Sequence, residues 1–168
     1  CAAGPARGRS TRSLGDRAMF RQLLGRRLKS DEVLQLLRDF DMAVTYQIDV
    51  LQENTPDSYF SESTDGGFSL RFDEHQILTS IFCYTVPRGT RAAVEQTLIG
   101  APLYQSFTEA KLAGESLGLS IRAGQDIEAF GRTLSFVRLD HADHSVHYEY
   151  EGGVLVMVTL MTPRDAVT

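Results

Sequence analysis

Alternating apolar and polar residues predict strands in two parts of the chain. The alternation covers residues 68–72 in the first part and residues 146–150 in the second. Because successive side chains of a strand point to opposite faces of a sheet, each stretch is expected to bury one face in a core. A short turn follows each stretch and leads to a more continuously apolar strand, predicted at 77–84 and at 154–161. Each part of the chain therefore contains a predicted hairpin.

Helical periodicity precedes the strands in both parts. The predicted helices cover residues 18–24, 31–40, 92–99 and 107–117. Gly25 and Gly100 follow the first helix of each part, where glycine can adopt the left-handed conformation that ends a helix. Ser106 and Glu109 have the spacing of a capping box at the start of the last helix. Each part is therefore predicted to begin with two short helices.

Further strands complete the predicted layout, at 43–50, 119–122 and 133–139. The order of helix, glycine turn, helix and antiparallel meander then occurs twice, at about 19–88 and about 89–162. We therefore predict an α+β fold, in which two pseudo-repeated helix-helix-antiparallel meander units form one compact domain over residues 19–168.

The composition fits a single globular domain. The chain has 168 residues, of which 42% are hydrophobic and 23% are charged, and this length is sufficient for a substantial core. The longest apolar run is 154–158, so no transmembrane helix is predicted. Cys1 and Cys83 are too few for a disulfide framework, and Cys83 lies in an apolar strand. We expect Cys83 to be a small buried side chain rather than a reactive thiol.

The first 18 residues differ from the rest of the chain. They are rich in Gly, Ala, Ser and Arg, and they lack an apolar period. We predict that residues 1–18 form a flexible basic tail outside the fold. We also predict that the protein is cytoplasmic. The alternative is that Cys1 is the lipidated first residue of a periplasmic lipoprotein, followed by a tether of small residues.

Charge is distributed unevenly along the sequence. Residues 39–74 contain nine acidic residues and one basic residue, Arg71, which is a net charge of −8. Such an acidic strip repels nucleic-acid phosphates and attracts a basic protein partner. The alternative interpretation is that these acidic residues lie on solvated strand edges and loops, where charge serves solubility. We predict no nucleic-acid binding.

Tyr59 and Phe60 lie in the loop-like segment 56–60, in the middle of the acidic strip. They are expected either to anchor a partner or to pack back onto the core. The predicted partner-binding residues are Asp49, Glu53, Asp57, Tyr59, Phe60, Glu62 and Asp65.

A cluster of histidines is the densest set of potential metal ligands. His141, His144 and His147 lie within seven residues, and zinc could use two of them with a carboxylate. The segment 141–144 is also where a hairpin must turn, so we predict solvated side chains and neither a metal nor another cofactor. These histidines are expected to make the protein sensitive to pH near neutrality. No motif for nucleophilic or acid–base catalysis is present, so we predict that the protein is not an enzyme.

Three segments carry a resemblance to known proteins. They are the Leu-Gly-x-x-Leu turn at 24–28, the strand at 67–73 and the Ile-Phe-Cys-Tyr strand at 81–84. This layout resembles small bacterial immunity-type proteins of uncharacterised families that accompany polymorphic toxins. The resemblance implies a non-enzymatic protein-binding module that neutralises a toxin through an acidic surface. The alternatives are a lipid-anchored envelope protein with a structural or ligand-carrying role, and a small-molecule or metal binder that uses the histidine hairpin.

Overall fold

The computed structural model describes residues 19–48 and 55–163. The predictions for the tail, including Cys1, lie outside these residues. The helical segments are α1 (Phe20–Leu23), α2 (Asp31–Asp39), a 3₁₀ turn (Gln96–Leu98) and α3 (Phe107–Ser116). The strands are β1 (Val44–Gln47), β2 (Ser58–Ser63), β3 (Phe68–Phe72), β4 (Leu78–Tyr84), β5 (Ser120–Ala129), β6 (Arg132–Asp140), β7 (Ser145–Glu151) and β8 (Val154–Met161).

The eight strands formed by the described residues make one antiparallel sheet. Their order is β1-β2-β3-β4-β8-β7-β6-β5, so consecutive strands pair within each half of the sheet. The two halves meet where β4 pairs with β8 at the centre. Strands β1 and β5 lie at the edges. In the part of the chain that is described, every helix is too short or too polar to cross a bilayer.

The predicted fold class is wrong, because the structure is mainly β rather than two helix-helix-meander units. Helix α1 is a single turn, and the helix predicted at 92–99 is reduced to the 3₁₀ turn. Backbone hydrogen bonds hold residues 92–94 against the sheet instead: Ala92 N donates to Thr64 O at 2.9 Å, and Val94 N donates to Tyr84 O at 2.7 Å. A backbone bonded in this way is not free to form helical hydrogen bonds.

The hairpins predicted from alternation are confirmed. Strand β3 buries every second side chain completely, and β7 buries its aromatic and aliphatic residues to the same degree; these are Phe68, Leu70, Phe72, Val146, Tyr148 and Tyr150. The sequence pattern does not predict strand β2, because segment 56–60 is loop-like in composition. It pairs with β1 and β3 on its two sides. Its core-facing positions include Ser61 and Ser63, so no apolar alternation marks it in the sequence.

Helices α1, α2 and α3 pack on one face of the sheet, which we call the helix-covered face. The ring of Phe68 contacts the rings of Phe20 and Phe40, at centroid distances of 4.6 and 4.9 Å. In the other half, the Tyr148 hydroxyl donates a 2.8 Å hydrogen bond to the Pro102 carbonyl, which fixes the chain leading to α3. The main core therefore lies between this face and the helical layer.

Candidate functional site

The opposite face of the sheet, which we call the open face, carries the residues that alternate with the core residues. Residues directly opposite each other across a strand pair share a face, so the strand registers define rows of side chains across the sheet. We name three of these rows by their residue on β4: the lower row contains Ser80, the middle row Phe82 and the upper row Tyr84. The middle row is Glu62, Ser69, Phe82, Thr159, His147, Arg138 and Arg122. The lower row is Phe60, Arg71, Ser80, Met161, Ser145, Asp140 and Ser120, and the upper row is Tyr84, Met157, Glu149, Phe136 and Gly124.

Aromatic and thioether side chains occupy the centre of the open face. Phe82 on β4 and both Met157 and Met161 on β8 are partly exposed, and Phe60 and Phe136 flank them on outer strands. An antiparallel sheet with one face towards water normally places polar side chains there. Aromatic residues and methionine are instead the types enriched at protein–protein interfaces.

Small hydroxyl residues lie between these large side chains. Ser69, Ser145 and Thr159 are on the open face, yet they are only 0%, 2% and 4% exposed. Their larger neighbours cover them, so the surface that a partner would meet on this face is formed by the larger side chains.

Charged residues flank the apolar centre on both sides. Glu62 and Arg71 lie on the β2–β3 side. On the β6 side, Arg138 Nε donates a 2.7 Å hydrogen bond to Asp140 Oδ1, and the Ser145 hydroxyl donates to the same oxygen at 2.6 Å. Burial alone would raise the pKa of Asp140, but the hydrogen bonds from Ser145 and Arg138 keep that pKa below its usual value. Asp140 therefore stays ionised beside the positive charge of Arg138.

His147 lies between this charged side and the apolar centre. Its Nε2 atom is buried and has no hydrogen-bond partner among the described residues. Its ring makes an edge contact with the Phe136 ring, at a centroid distance of 5.3 Å. Burial and the charge of Arg138 lower the pKa of His147, so its imidazole is neutral near pH 7.

The upper end of the open face is closed by the loop after β4. The Arg91 guanidinium lies over the Tyr84 ring, with 3.3 Å between its central carbon and the ring centroid. Glu149 and Met157 line a cavity of about 60 Å³ beside this pair. A cavity of this size holds a few water molecules at most. Burial and the nearby Glu151 raise the pKa of Glu149.

The structure does not bring the predicted partner-binding residues into one cluster. Asp49 and Glu53 lie outside the described residues. Phe60 and Glu62 are on the open face. Tyr59 is on the opposite, helix-covered face, since its direct partner is the core residue Phe72. Two members of the set, Asp57 and Asp65, lie beyond opposite ends of β2, which separates them by roughly 20 Å.

One acidic group, which we call the lower acidic group, forms at the lower end of the sheet. Asp57, Asp73 and Glu74 line a depression of about 350 Å³ together with Arg71. The Tyr46 hydroxyl donates a hydrogen bond to Asp57, and this bond raises the pKa of Tyr46. Asp73 Oδ1 accepts hydrogen bonds from two backbone N–H groups of its own turn. Asp57 and Asp73 therefore stabilise the local structure through these hydrogen bonds.

The predicted histidine hairpin is confirmed, but only part of its turn is exposed to solvent: Ala142 and Asp143 are exposed, whereas His144 is buried. Residues 141–144 connect β6 and β7. His144 is only 5% exposed; its ring stacks on that of His141 at 4.4 Å, and its Nδ1 is 2.6 Å from Asp143 Oδ1. Burial, His144 and Arg21 lower the pKa of His141. Within the described ranges, no three His, Cys, Asp or Glu side chains are arranged to hold a metal ion.

Cys83 is fully buried on the helix-covered face, opposite Phe68, and burial raises the pKa of its thiol. This confirms the prediction of a buried small side chain. A thiol in this environment is a poor nucleophile.

Sequence reasoning missed the central residues of the open face. The signal was present, because residues 81–84 and 154–158 are almost continuously apolar. Such runs indicate strands with apolar side chains on both faces. Without the partner strands, however, periodicity does not show which residues point away from the core.

Comparison of the chain with protein-family models, with curated proteins and with solved structures finds no match.

Proposed function

We propose that this protein is a non-enzymatic protein-binding module, and that it binds its partner on the open face. The observation that carries the proposal is the arrangement of side chains there. Phe82, Met157 and Met161 occupy the central strands, and charged residues occupy the strands on either side. An apolar core surrounded by a polar rim is the usual anatomy of a protein–protein interface.

The energetics of this face favour a protein partner. Full burial of a Phe or Met side chain stabilises a complex by about 1.5–3 kcal/mol relative to an exposed one. Phe82 and its neighbours are already partly covered, so the gain for each is smaller. The rim charges contribute selectivity and faster encounter more than affinity.

We extend the proposal to the role of an immunity-type protein, whose partner is a toxin with a basic cleft. The layout of residues 24–28, 67–73 and 81–84 supports this choice. Glu62 at the rim and the lower acidic group would attract the partner, because opposite charges steer association. The apolar centre would then hold it.

The test compares three baits in a quantitative capture experiment from native cells. The wild type, Phe82→Arg and Leu112→Arg are used at equal concentration. Leu112 is the matched control, since it is 58% exposed and lies on α3, which packs on the helix-covered face of the sheet. We expect one protein to be enriched by the wild type and by Leu112→Arg, and lost with Phe82→Arg. Enrichment that is equal with all three baits contradicts the proposal.

A further inference from the structure

We propose that the hairpin of β5 and β6 is part of the interface, and that it inserts Phe130 into an apolar pocket of the protein that covers the open face. The inference deepens the proposed function and rests on it, because it names further contact residues for the same partner. It also specifies the chemistry of the partner's surface, which is an apolar pocket with a basic rim.

The tip of this hairpin, residues 129–132, extends past the neighbouring strand β7. The pairing of β6 with β7 ends at Leu134, whereas the pairing of β6 with β5 continues to Arg132. The Gly152 N–H donates a 3.1 Å hydrogen bond to the Thr133 carbonyl, which ties the base of the tip to the turn between β7 and β8. The tip projects beyond this point, so a partner can approach it from several sides.

Phe130 occupies the end of the tip at a cost to the fold. It forms a two-residue turn with Gly131, and both residues have positive φ, +52° and +72°. Such turns favour Asn or Gly, because other side chains are strained at positive φ. The Phe130 side chain is also fully exposed, so it gains nothing from burial within its own chain. Backbone strain of this kind concentrates at functional sites.

A β-bulge in β5 brings a second apolar side chain of the hairpin onto the open face. Gly124 pairs with Phe136 in the upper row. In a regular register Asp126 would lie opposite Leu134, two positions farther along, but the register shifts and Ile127 takes that place. Asp126 adopts φ +51° within the bulge. The bulge therefore places an apolar residue on the open face where regular pairing would place an acidic one, and re-aiming a side chain is a known use of bulges.

The hairpin continues the apolar surface of the open face. A fourth row lies above the upper row and consists of Val154, Glu151, Leu134 and Ile127. Ile127 and Val154 are exposed. A Cβ at Gly124 would lie 2.6 Å from the Phe136 ring and 2.8 Å from Ile127 Cδ1, so these two side chains lie together over Gly124. The upper row and the fourth row are thus in contact, and a partner that covers one also reaches the other.

The charges beside the tip indicate the chemistry of the pocket. Residues 123–131 contain two charged side chains, Asp126 and Glu128, and both are acidic and exposed. Arg132 follows them, but its Nε lies 3.5 Å from Glu151 Oε1, so its charge is offset locally. The phenyl ring is therefore flanked by acidic charge, which is complementary to a pocket with a basic rim. The basic cleft proposed for the partner fits this requirement.

A lipid bilayer is the other class of target for an exposed aromatic tip. Surfaces that bind membranes carry Lys and Arg beside their apolar residues, because anionic lipids attract them. Asp126 and Glu128 have the opposite charge. The tip is therefore better suited to a protein pocket than to a membrane.

The first test maps the contact by photo-crosslinking in the full chain, produced in its native cells. The photo-crosslinking residue p-benzoylphenylalanine is placed separately at positions 130, 82 and 112. We expect positions 130 and 82 to crosslink to the same protein, and position 112 not to reach it. A crosslink from position 82 with none from position 130 overturns this inference and leaves the proposed function intact. No crosslink from either, or a crosslink from position 130 alone, contradicts both.

The second test separates binding from folding. The protein that crosslinks to position 82 is purified, and calorimetry measures its affinity for the wild type, Phe130→Asn, Phe130→Ala and Leu112→Ala. Both Phe130 variants are expected to raise the Kd about 10- to 100-fold, whereas Leu112→Ala is expected to change it less than about twofold. Phe130→Asn is expected to unfold at the same temperature as the wild type or higher, so its weaker binding identifies a contact residue. A Kd within about twofold of the wild type for both Phe130 variants overturns the inference.

Vesicle flotation tests the lipid target. Vesicles of phosphatidylcholine alone, and of phosphatidylcholine mixed with phosphatidylglycerol, are incubated with the wild type and with Phe130→Asn. We expect neither protein to float with either kind of vesicle. Flotation of the wild type that is lost with Phe130→Asn overturns the protein pocket and assigns the tip to a membrane.

Discussion

Phe82 and Thr159 are direct cross-strand neighbours at the centre of the sheet, on the face that the helices leave uncovered. Phe82 is partly exposed, whereas Thr159 is almost completely buried. The Phe82 ring therefore lies outside the main core and forms part of the surface of the open face. This pair is the basis for treating the open face as a binding surface.

Phe72 and Phe82 are predicted to differ in their effect on stability. Phe72 is fully buried on the helix-covered face, so Phe72→Ala is expected to lower the free energy of unfolding by about 3–5 kcal/mol. Phe82→Ala is expected to lower it by less than about 2 kcal/mol, because that side chain is already partly in water. Urea denaturation of both variants measures the difference. Equal losses would show that Phe82 belongs to the core.

Gly67 is predicted to tolerate no side chain. Its φ is +68°, and an added Cβ would lie 2.4–2.6 Å from backbone atoms of residues 92–94. Gly67→Ala is therefore expected to lower the free energy of unfolding by at least about 2 kcal/mol. Gly89→Ala is the control, since Gly89 has a similar φ of +59° with nothing within 4 Å, and its expected loss is about 1 kcal/mol. Similar losses would mean that residues 92–94 do not pass over Gly67.

Phe130 is predicted to be a destabilising residue. It lies in the turn between β5 and β6 with φ +52°, and its side chain is fully exposed. The turn favours Asn or Gly at such a position. Phe130→Asn is expected to raise the free energy of unfolding by about 0.5–1 kcal/mol, while Phe130→Ala is expected to leave it nearly unchanged. Thermal unfolding measures both, and a loss with Phe130→Asn would refute this interpretation of the turn.

Stability is predicted to fall as the pH drops below about 6.5. The pKa values of His141 and His147 are lowered in the folded state, chiefly by burial, so protonation favours the unfolded chain. The stability that these neutral histidines contribute is fully present above their pKa in the unfolded chain. It is lost as the pH falls towards their lower pKa values in the folded protein. Glu149 acts in the opposite direction, because its pKa is raised.

The measurement is the urea midpoint at neutral and mildly acidic pH. His147→Gln is expected to reduce the acid-dependent loss, and His75→Gln serves as the control, because 77% of the His75 side chain is exposed. An unchanged pH dependence in His147→Gln would show that this histidine does not contribute.

Much of the sheet could be predicted from the sequence, because the alternation at 68–72 and 146–150 directly reflects burial of one face. Strand β2 could not, since Ser61 and Ser63 occupy its core-facing positions and only pairing with β1 and β3 makes it a strand. Likewise, the apolar residues at 92–99 have helical spacing, but hydrogen bonds to residues distant in the chain determine their conformation.

The acidic strip leads to only part of the candidate site. It contains Phe60 and Glu62, which lie on the open face. Phe82 and Met161 lie outside the strip, and the face of a continuously apolar strand depends on its neighbours in the sheet. Tyr59 is in the strip beside Phe60, but consecutive residues of a strand point to opposite faces.

The central claim is that the open face is the surface that binds another protein. The most direct measurement places the photo-crosslinking residue p-benzoylphenylalanine at position 82, and separately at Leu112, in the protein produced in its native cells. We predict a crosslink to one defined protein from position 82 and none to that protein from position 112. No crosslinked protein at position 82, or the same products from both positions, would contradict the claim.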